Sequence, residues 1–549
     1  MSPEHLVIAP ILIPFFAGAI MLFYEDRQRR LKMTLSLASA AALLVAAIAL
    51  LIRSEGSRAT GGNDVGVYLL GNWPPPFAIV LVLDRLSALM LLLTGCLALP
   101  VIAYAGAGWD KQGRHFHSLL QFLLMGLNGA FLTGDLFNLF VFFEVLLAAS
   151  YGLLLHGSGP QRVQAGLHYI AVNLVASLFF LIGVALIYGV TGTLNMADLA
   201  QRIATLDEGG RQLVLIASAI LGVVFLVKAG TWPLAFWLPN AYTAAGAPVG
   251  AVFAIMTKVG LYVVLRLATL LFGWEAEVAP GFGAGVLILA GLATLAFGTL
   301  GTLSAQGLAR VASHAIIISA GTVLTAIGIS VFAGPGIVAG ALYYMVGSTL
   351  AAAALFLLAE LMEREQGSIA TLLAVTSAAY GFGDEDPEDE EEDAGIILPG
   401  AQTVLALAFA VVALILAGMP PFSGFLGKIA LISDAMAPRD TPIPPVIWVF
   451  IALVLFSGFA TLLALTRIGI HTFWTADEES RFRIRAQEMA PVLGLVGLSI
   501  LLTVEARPAI RYLGQTADAL SRPEIYVGAV LTAPQSKGIL DKNEEPAAP

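Results

Sequence analysis

The chain carries fourteen apolar stretches, each near the roughly 20 residues that an α-helix needs to cross the hydrocarbon core of a bilayer. That pattern leaves little choice of fold. Inside a bilayer every backbone N–H and C=O must find its partner in the protein, so spanning segments of this length are helices. With 58% hydrophobic and 12% charged residues, the chain is far from the charged share of roughly a quarter typical of soluble domains. The expected fold is an all-α polytopic membrane protein with about 14 transmembrane helices and no soluble domain.

Met1 to His5 carries Glu4 rather than a basic cluster, and no small-residue cleavage site closes a short apolar core, so the first stretch is expected to stay as a membrane helix. Arg27, Arg29, Arg30 and Lys32 follow helix one, Lys111 and Arg114 follow helix three, and Arg481, Arg483 and Arg485 follow helix thirteen. These loops fall on one face, which the positive-inside bias makes cytoplasmic; both termini then lie outside, against the vote of Arg507, Arg511 and Arg522. The net charge of −10 is concentrated: nine acids between Asp384 and Asp393 leave only −1 for everything else. Such a block repels itself and is expected to be a disordered, solvated loop, with a docking or cation-collecting role as the alternative. Cys96 is the only cysteine, so the chain forms no internal disulfide and no cysteine-ligated iron–sulfur or zinc site. There is no phosphate-binding loop and no convincing Ser-His-Asp spacing, and neither direct ATP use, a cofactor, a bound metal nor nucleic acid is expected.

Four charged residues break the apolar pattern: Glu144, Lys228, Lys258 and Lys428. A charge at mid-bilayer costs about 2.5–3.5 kcal/mol even on lenient insertion scales, so such residues default to an ion pathway or proton relay. Glu144 follows Asp135, the expected N-cap of its helix, by nine residues, which places it about 13 Å into the membrane. Lys258 lies ten residues beyond Pro248, about 15 Å along its helix. Lys228 precedes Trp232 and Pro233, and Lys428 follows Pro420 and Pro421, so both flank a break in an apolar helix. Irregular backbone at this depth is tolerated only where it is buried in protein or lines a cavity. Paired with Glu144, Lys228 would be held charged; unpaired and dry, it would lose its proton more readily. Broken helices in two halves of a chain point to an inverted-repeat transporter with its site near the midplane. His168 and His314, near helix starts, are weaker candidates for a relay. Asp84 and Arg85 read as a helix cap and a snorkelled anchor, and Arg266 as an interface anchor.

The stretches GDLFNLFVFFEVLLAAS (Gly134–Ser150), LVKAGTWPLAFWLPNAYTAAGAPVGAVFAIMTKVGLYVVLR (Leu226–Arg266) and GMPPFSGFLGKIAL (Gly418–Leu431) resemble the proton-antiporter-like membrane subunits. That family includes the D-type subunits of Mrp cation/proton antiporters, which are multi-subunit complexes, and the pumping subunits of respiratory complex I. The resemblance spans roughly residues 80–470. It is nearest to the Mrp D type, including its potassium-linked Pha relatives, on GTLNMADLA (Gly192–Ala200), on lysine rather than glutamate at 428, and on the lack of a long lateral helix after helix fourteen.

The resemblance implies two inverted repeats, helices 4–8 and 9–13, each with a broken helix. The chain then divides into 1–117 with helices 1–3, a first repeat at 118–270, a second at 282–470 containing the acidic loop 384–393, helix 14 at 489–508 and a polar C-terminal tail at 509–549. Glu144 matches the family's ion-pair acid, Lys228 and Lys428 its broken-helix lysines, and Lys258 its central relay. In LYYMVGSTLAAAALFLL, Gly347 stands where the family often places a histidine, so the link from Lys258 to Lys428 would rely on water and on Ser348 or Thr349. The implied function is that of one component of a secondary antiporter exchanging Na+ or K+ for protons in a bacterial inner membrane, with membrane lipid and other membrane subunits as partners. The alternative is a proton-pumping component of a redox-driven complex such as complex I or a membrane hydrogenase.

Overall fold

The computed structural model describes residues 3–25, 27–56, 65–77, 79–273, 278–366, 400–437, 442–474 and 484–535. The acidic loop 384–393 lies outside the described residues. The apolar runs fold into helices α1 (Ala9–Leu22), α2 (Arg29–Gly56), α3 (Arg85–Ala105), α4 (Phe116–Leu132), α5 (Leu136–Leu154), α6 (Pro160–Thr191), α7 (Met196–Thr205), α8 (Glu208–Lys228), α9 (Trp237–Ala244) and α10 (Ala247–Phe272). They continue as α11 (Ala284–Ser304), α12 (Leu308–Ala333), α13 (Gly336–Gln366), α14 (Ala401–Ala417), α15 (Ser423–Ala435), α16 (Pro445–Trp474), α17 (Ala486–Val504), α18 (Ala506–Leu520) and α19 (Pro523–Leu531). Among the described residues, eleven of these are long and apolar enough to cross a membrane, and three shorter apolar helices, α1, α4 and α14, bring the apolar helices to fourteen.

Two crossings are interrupted, and in the same way. α8 ends at Lys228, where Gly230 takes a left-handed φ of +70°, Gly230 N–H donates to Val227 O and Thr231 N–H to Leu226 O. α14 ends with Gly418 at φ +76°, its N–H donating to Ile415 O and Met419 N–H to Leu414 O. Both are Schellman-type stops, whose left-handed residue is a glycine because a Cβ is unfavourable there. Pro233 and Pro421, each three residues past its glycine, follow cis peptide bonds, after which α9 and α15 complete the crossings.

The helices α10, α12 and α13 form the centre. α10 is buried along its whole spanning window, α13 over 94% and α12 over 89%, against 39% for α2, α6, α8, α11, α16 and α17. Glycines set the tightest approaches. A Cβ at Gly260 of α10 would stand 2.7 Å from Ala229 N at the first break, and one at Gly427 of α15 would stand 3.0 Å from Tyr344 of α13. Close backbone approach through small residues is how membrane helices pack without a hydrophobic driving force between them.

Three local features depart from the sequence reading. Just ahead of the expected cap Asp84, the chain forms a strand that the sequence reading does not foresee, β2 (Val80–Leu83), paired antiparallel with β1 (Gly66–Leu69) in the register Gly66 to Leu83 and Leu69 to Val80. Asp84 explains the switch: its carboxylate accepts from Ser87 N–H at 2.9 Å while its own N–H donates to Ser87 Oγ at 2.8 Å, a capping box that starts α3 at Arg85.

Arg85 and Arg266 are not snorkelled at a water interface. Arg266 grips Asp84 through two nitrogens at 2.6 and 2.8 Å, and Arg85 lies over the Tyr512 ring at 5.3 Å. Residues 506–531, which the sequence reading assigns largely to the polar tail from 509, are the helices α18 and α19. The face Tyr512, Leu513, Thr516, Ala517 and Leu520 of α18 packs down, Tyr512 Oη donates to Arg85 O at 2.9 Å, and Tyr526 of α19 covers Arg266 at 5.1 Å. These helices cover that end of the bundle, so the arginines find protein rather than water.

Candidate functional site

Lys258 is fully buried, with 0% exposure, in the middle of α10. Its Nζ donates to Ser319 Oγ of α12 at 3.0 Å, and Ser319 Oγ is 2.8 Å from Ser348 Oγ of α13. The three most enclosed helices therefore meet at one polar point, an amine followed by two hydroxyls. Thr349, beside Ser348, turns away and donates to Met345 O of its own helix at 2.6 Å.

Lys228 and Lys428 stand on opposite sides of their breaks, and their amines meet different partners. The breaks share the pair Ala229-Gly230 and Ala417-Gly418, with Lys228 immediately before the first pair. Lys428, beyond the second pair, reaches back so that its Nζ donates to Ala417 O at 2.9 Å. A helix stop leaves its last carbonyls without intrahelical partners, and a cation satisfies one of them.

Glu144 is half-buried on α5, and Ser177 Oγ of α6 donates to its Oε1. The ammonium of Lys228 lies 5.4 Å from the centroid of Phe143, the neighbour of Glu144. No ion pair within 4.0 Å joins Glu144 to Lys228 in this arrangement, so the direct pair expected from the sequence is replaced by a cation–π contact on the same helix.

The two histidines do not join this set. His168 is exposed on α6 with Nδ1 against Gln164 O at 3.0 Å, and His314 is buried on α12 with Nδ1 against Arg310 O at 2.8 Å. Around the first break and α9, the buried hydroxyls of Thr231, Tyr242 and Thr257 and the indole N–H of Trp237 have no hydrogen-bond partner among the described residues. Buried polar atoms of this kind are normally satisfied by ordered water. Ser177, Ser319 and Phe143 escape a reading by charge alone. Serines in apolar helices satisfy themselves on a preceding carbonyl and leave little trace in sequence.

On the cytoplasmic face assigned by the basic loops, a cavity of about 700 Å³ opens between Trp109, Arg162, Thr243, Glu360 and Glu363. Thr243, which lines it, pairs with Ser313 of α12 through their hydroxyls at 3.2 Å. Its rim is tied together: Trp109 Nε1 donates to Glu360 at 2.5 Å, Arg162 Nε to Ala244 O at 3.1 Å, and His156 Nε2 meets Trp109 O at 2.9 Å. Burial holds the His156 imidazole below the ordinary histidine value, reinforced by the charge of Arg162, so the ring is neutral and donates. Nearby, burial alone would push the Asp110 carboxyl up. The hydrogen bond from His117 and the guanidinium of Arg29, 2.5 Å away, outweigh burial and hold the carboxyl down.

Fold and site together define a class: a helical polytopic membrane protein with two lysine-flanked broken helices around a buried polar centre. The chain belongs to the NADH:quinone oxidoreductase/Mrp antiporter transmembrane family, which matches residues 133–459 and so takes in both breaks together with Glu144, Lys228, Lys258 and Lys428. It is 52% identical over 538 residues to a probable D-type subunit of a K(+)/H(+) antiporter from Rhizobium meliloti (strain 1021), covering 97% of this chain and 98% of the relative. It is 36% identical over 536 residues to the D-type subunit of a Na(+)/H(+) antiporter from Alkalihalophilus pseudofirmus, covering 96% and 99%. Among solved structures it resembles a chain of the Mrp complex from Dietzia sp. DQ12-45-1b, with a TM-score of 0.80, 28% identity, and coverage of 97% of this chain and all of that one.

Proposed function

We propose that this chain is the D-type subunit of a multi-subunit monovalent cation/proton antiporter of a bacterial cell membrane, a transporter component rather than an enzyme, and that it conducts the protons. The observation that carries the reading is the buried contact of Lys258 with Ser319 and Ser348 across the three central helices, flanked by the two lysine-bearing breaks. A proton from outside is taken up at Lys428, passed to Lys258 and then to Lys228, and released through the cytoplasmic cavity beyond α9. Glu144 sets the charge state of Lys228 across the short gap bridged by Phe143. The membrane field supplies about 2.3 kcal/mol per charge per 100 mV. Other membrane subunits complete the complex, and the exchanged ion is sodium or potassium, with potassium favoured by the name of the relative at 52% identity.

The test is cation-driven proton movement in everted vesicles carrying the assembled complex. Lys258→Ala and Lys228→Ala are each expected to lower the exchange rate by about a hundredfold or more, the range for loss of a proton-transfer group. Exchange at the wild-type rate in both variants sinks the assignment.

A further inference from the structure

A groove of about 360 Å³ lies between α8, α10 and α11, alongside the last turns of α8 before the first break. Its lining runs from Val223 and Val286, 50% and 59% exposed, to Leu221 and Phe225, 2% and 1% exposed, so it opens on the outside of the bundle and reaches into packed core. No charged side chain lines it among the described residues. The space beside Gly222 is unfilled: a Cβ built there would meet no atom within 4 Å. Below Leu226, the last α8 residue of the lining, the break is joined to α11, where Trp232 N–H donates to Thr294 Oγ1 at 2.9 Å.

Ser218 is the first α8 residue of the lining, and its Oγ is buried with no hydrogen-bond partner among the described residues. Serines inside apolar helices ordinarily bond a carbonyl one turn back, and this one does not. Ser218 precedes Lys228, the last residue of α8, by ten positions. That is about 15 Å of helix rise, half the roughly 30 Å thickness of a hydrocarbon core. With Lys228 near the midplane, the hydroxyl stands where the acyl esters of one leaflet begin.

We propose that this groove holds one acyl chain of a membrane phospholipid, which enters past Val223 and Val286 and accepts a hydrogen bond from Ser218 at its ester carbonyl. α8 and α11 are apolar spanning helices buried over only 39% of their windows, so in a bilayer the medium at the mouth of the groove is hydrocarbon. Walls without charge and a single unpaired donor fit a slim apolar chain that carries its one acceptor at the end. Empty, the groove would leave Leu221 and Phe225 without dispersion partners on one side; a chain restores them. The bound chain packs against the turn of α8 that precedes Lys228. The site is separate from the contacts of Lys258 and does not depend on how protons move.

The experiment reconstitutes the assembled complex in vesicles of phosphatidylethanolamine and phosphatidylglycerol, with a minor share of phosphatidylglycerol carrying a diazirine on one acyl chain. After irradiation, labelled residues are mapped by peptide mass spectrometry in the wild type and in Gly222→Ala, Gly222→Phe, Ser218→Ala and Ser218→Thr. The expected wild-type map includes the enclosed Leu221 and Phe225 as well as Leu289, which is 71% exposed to surrounding lipid. Gly222→Phe, whose ring fills the groove, is expected to lose the label at Phe225 and keep it at Leu289, whereas Gly222→Ala keeps both. Labelling at Phe225 should fall in Ser218→Ala and hold in Ser218→Thr; equal labelling in the two overturns the ester contact. A wild-type map confined to exposed residues overturns the site, and is the result expected if another subunit fills the groove. Persistent labelling of Phe225 in Gly222→Phe overturns it too. If Gly222→Phe fails to assemble, the wild-type map decides by itself.

Discussion

Lys258 has no exposed surface and one hydrogen bond, to Ser319, and depth along its helix is enough to single it out in the sequence. The same reasoning finds Glu144, Lys228 and Lys428, because an ionisable group in an apolar run is a cost that composition makes visible. It does not find what those groups touch. Ser319 is ordinary in an apolar helix, and only its placement across from Lys258 distinguishes it. Arg266 reads as an interface anchor for a related reason, since its partner Asp84 is 182 residues away in sequence. That pair carries a stability prediction. Arg266→Ala leaves the largely enclosed Asp84 carboxylate, 14% exposed, without its ion-pair partner and is expected to cost about 3 kcal/mol, whereas Asp84→Asn combined with Arg266→Met should cost much less. Thermal unfolding of the purified protein in detergent distinguishes the two; equal losses would mean that the charge pairing contributes nothing.

Among the elements, the two broken helices are half legible. Prolines announce the interruptions, but the shared Ala-Gly stop, with glycines at φ +70° and +76°, emerges only from the backbone bonds. The strand β2 and the helices α18 and α19 escape a local reading because each is stabilised from outside itself: β2 by pairing with β1 and by the Asp84 cap, α18 by laying Tyr512 and Leu513 on the bundle. The turn between α5 and α6 is held by His156 against Trp109 O, and this contact makes stability depend on pH. The folded imidazole has its value lowered from 6.5, so the unfolded chain binds the proton first. The contribution of His156 is therefore whole above pH 6.5 and is lost as pH falls through the lower folded value. Melting temperatures at pH 7.5 and pH 5, as assay conditions either side of roughly 6.5, should differ more for the wild type than for His156→Gln. The same difference in both would remove His156 as the cause.

Across the whole bundle, the helices α4, α5, α6, α8 with α9, and α10 make five crossings with the fourth broken, and α11, α12, α13, α14 with α15, and α16 repeat that order. A set of five crossings would start the second set on the opposite face, the relation that an inverted repeat requires. The orientation follows from the basic loops and is open to direct measurement. In a Cys96→Ala background, Gln112→Cys should react with a membrane-impermeant maleimide only from the cytoplasm, and Gln535→Cys only from outside; the opposite pattern would invert the assignment. Bilayer length and the cost of burying a charge are properties of single segments, so the class of fold, the fourteen apolar helices and the four charges that interrupt the apolar pattern are all written in the chain. Folding in three dimensions was needed to establish which helices are central, that Lys258 meets Ser319 and Lys428 the carbonyl of Ala417, and that Glu144 is held by Ser177. These are contacts between segments far apart in the chain, set by close backbone approach at glycines such as Gly260 and Gly427, and no local pattern encodes them.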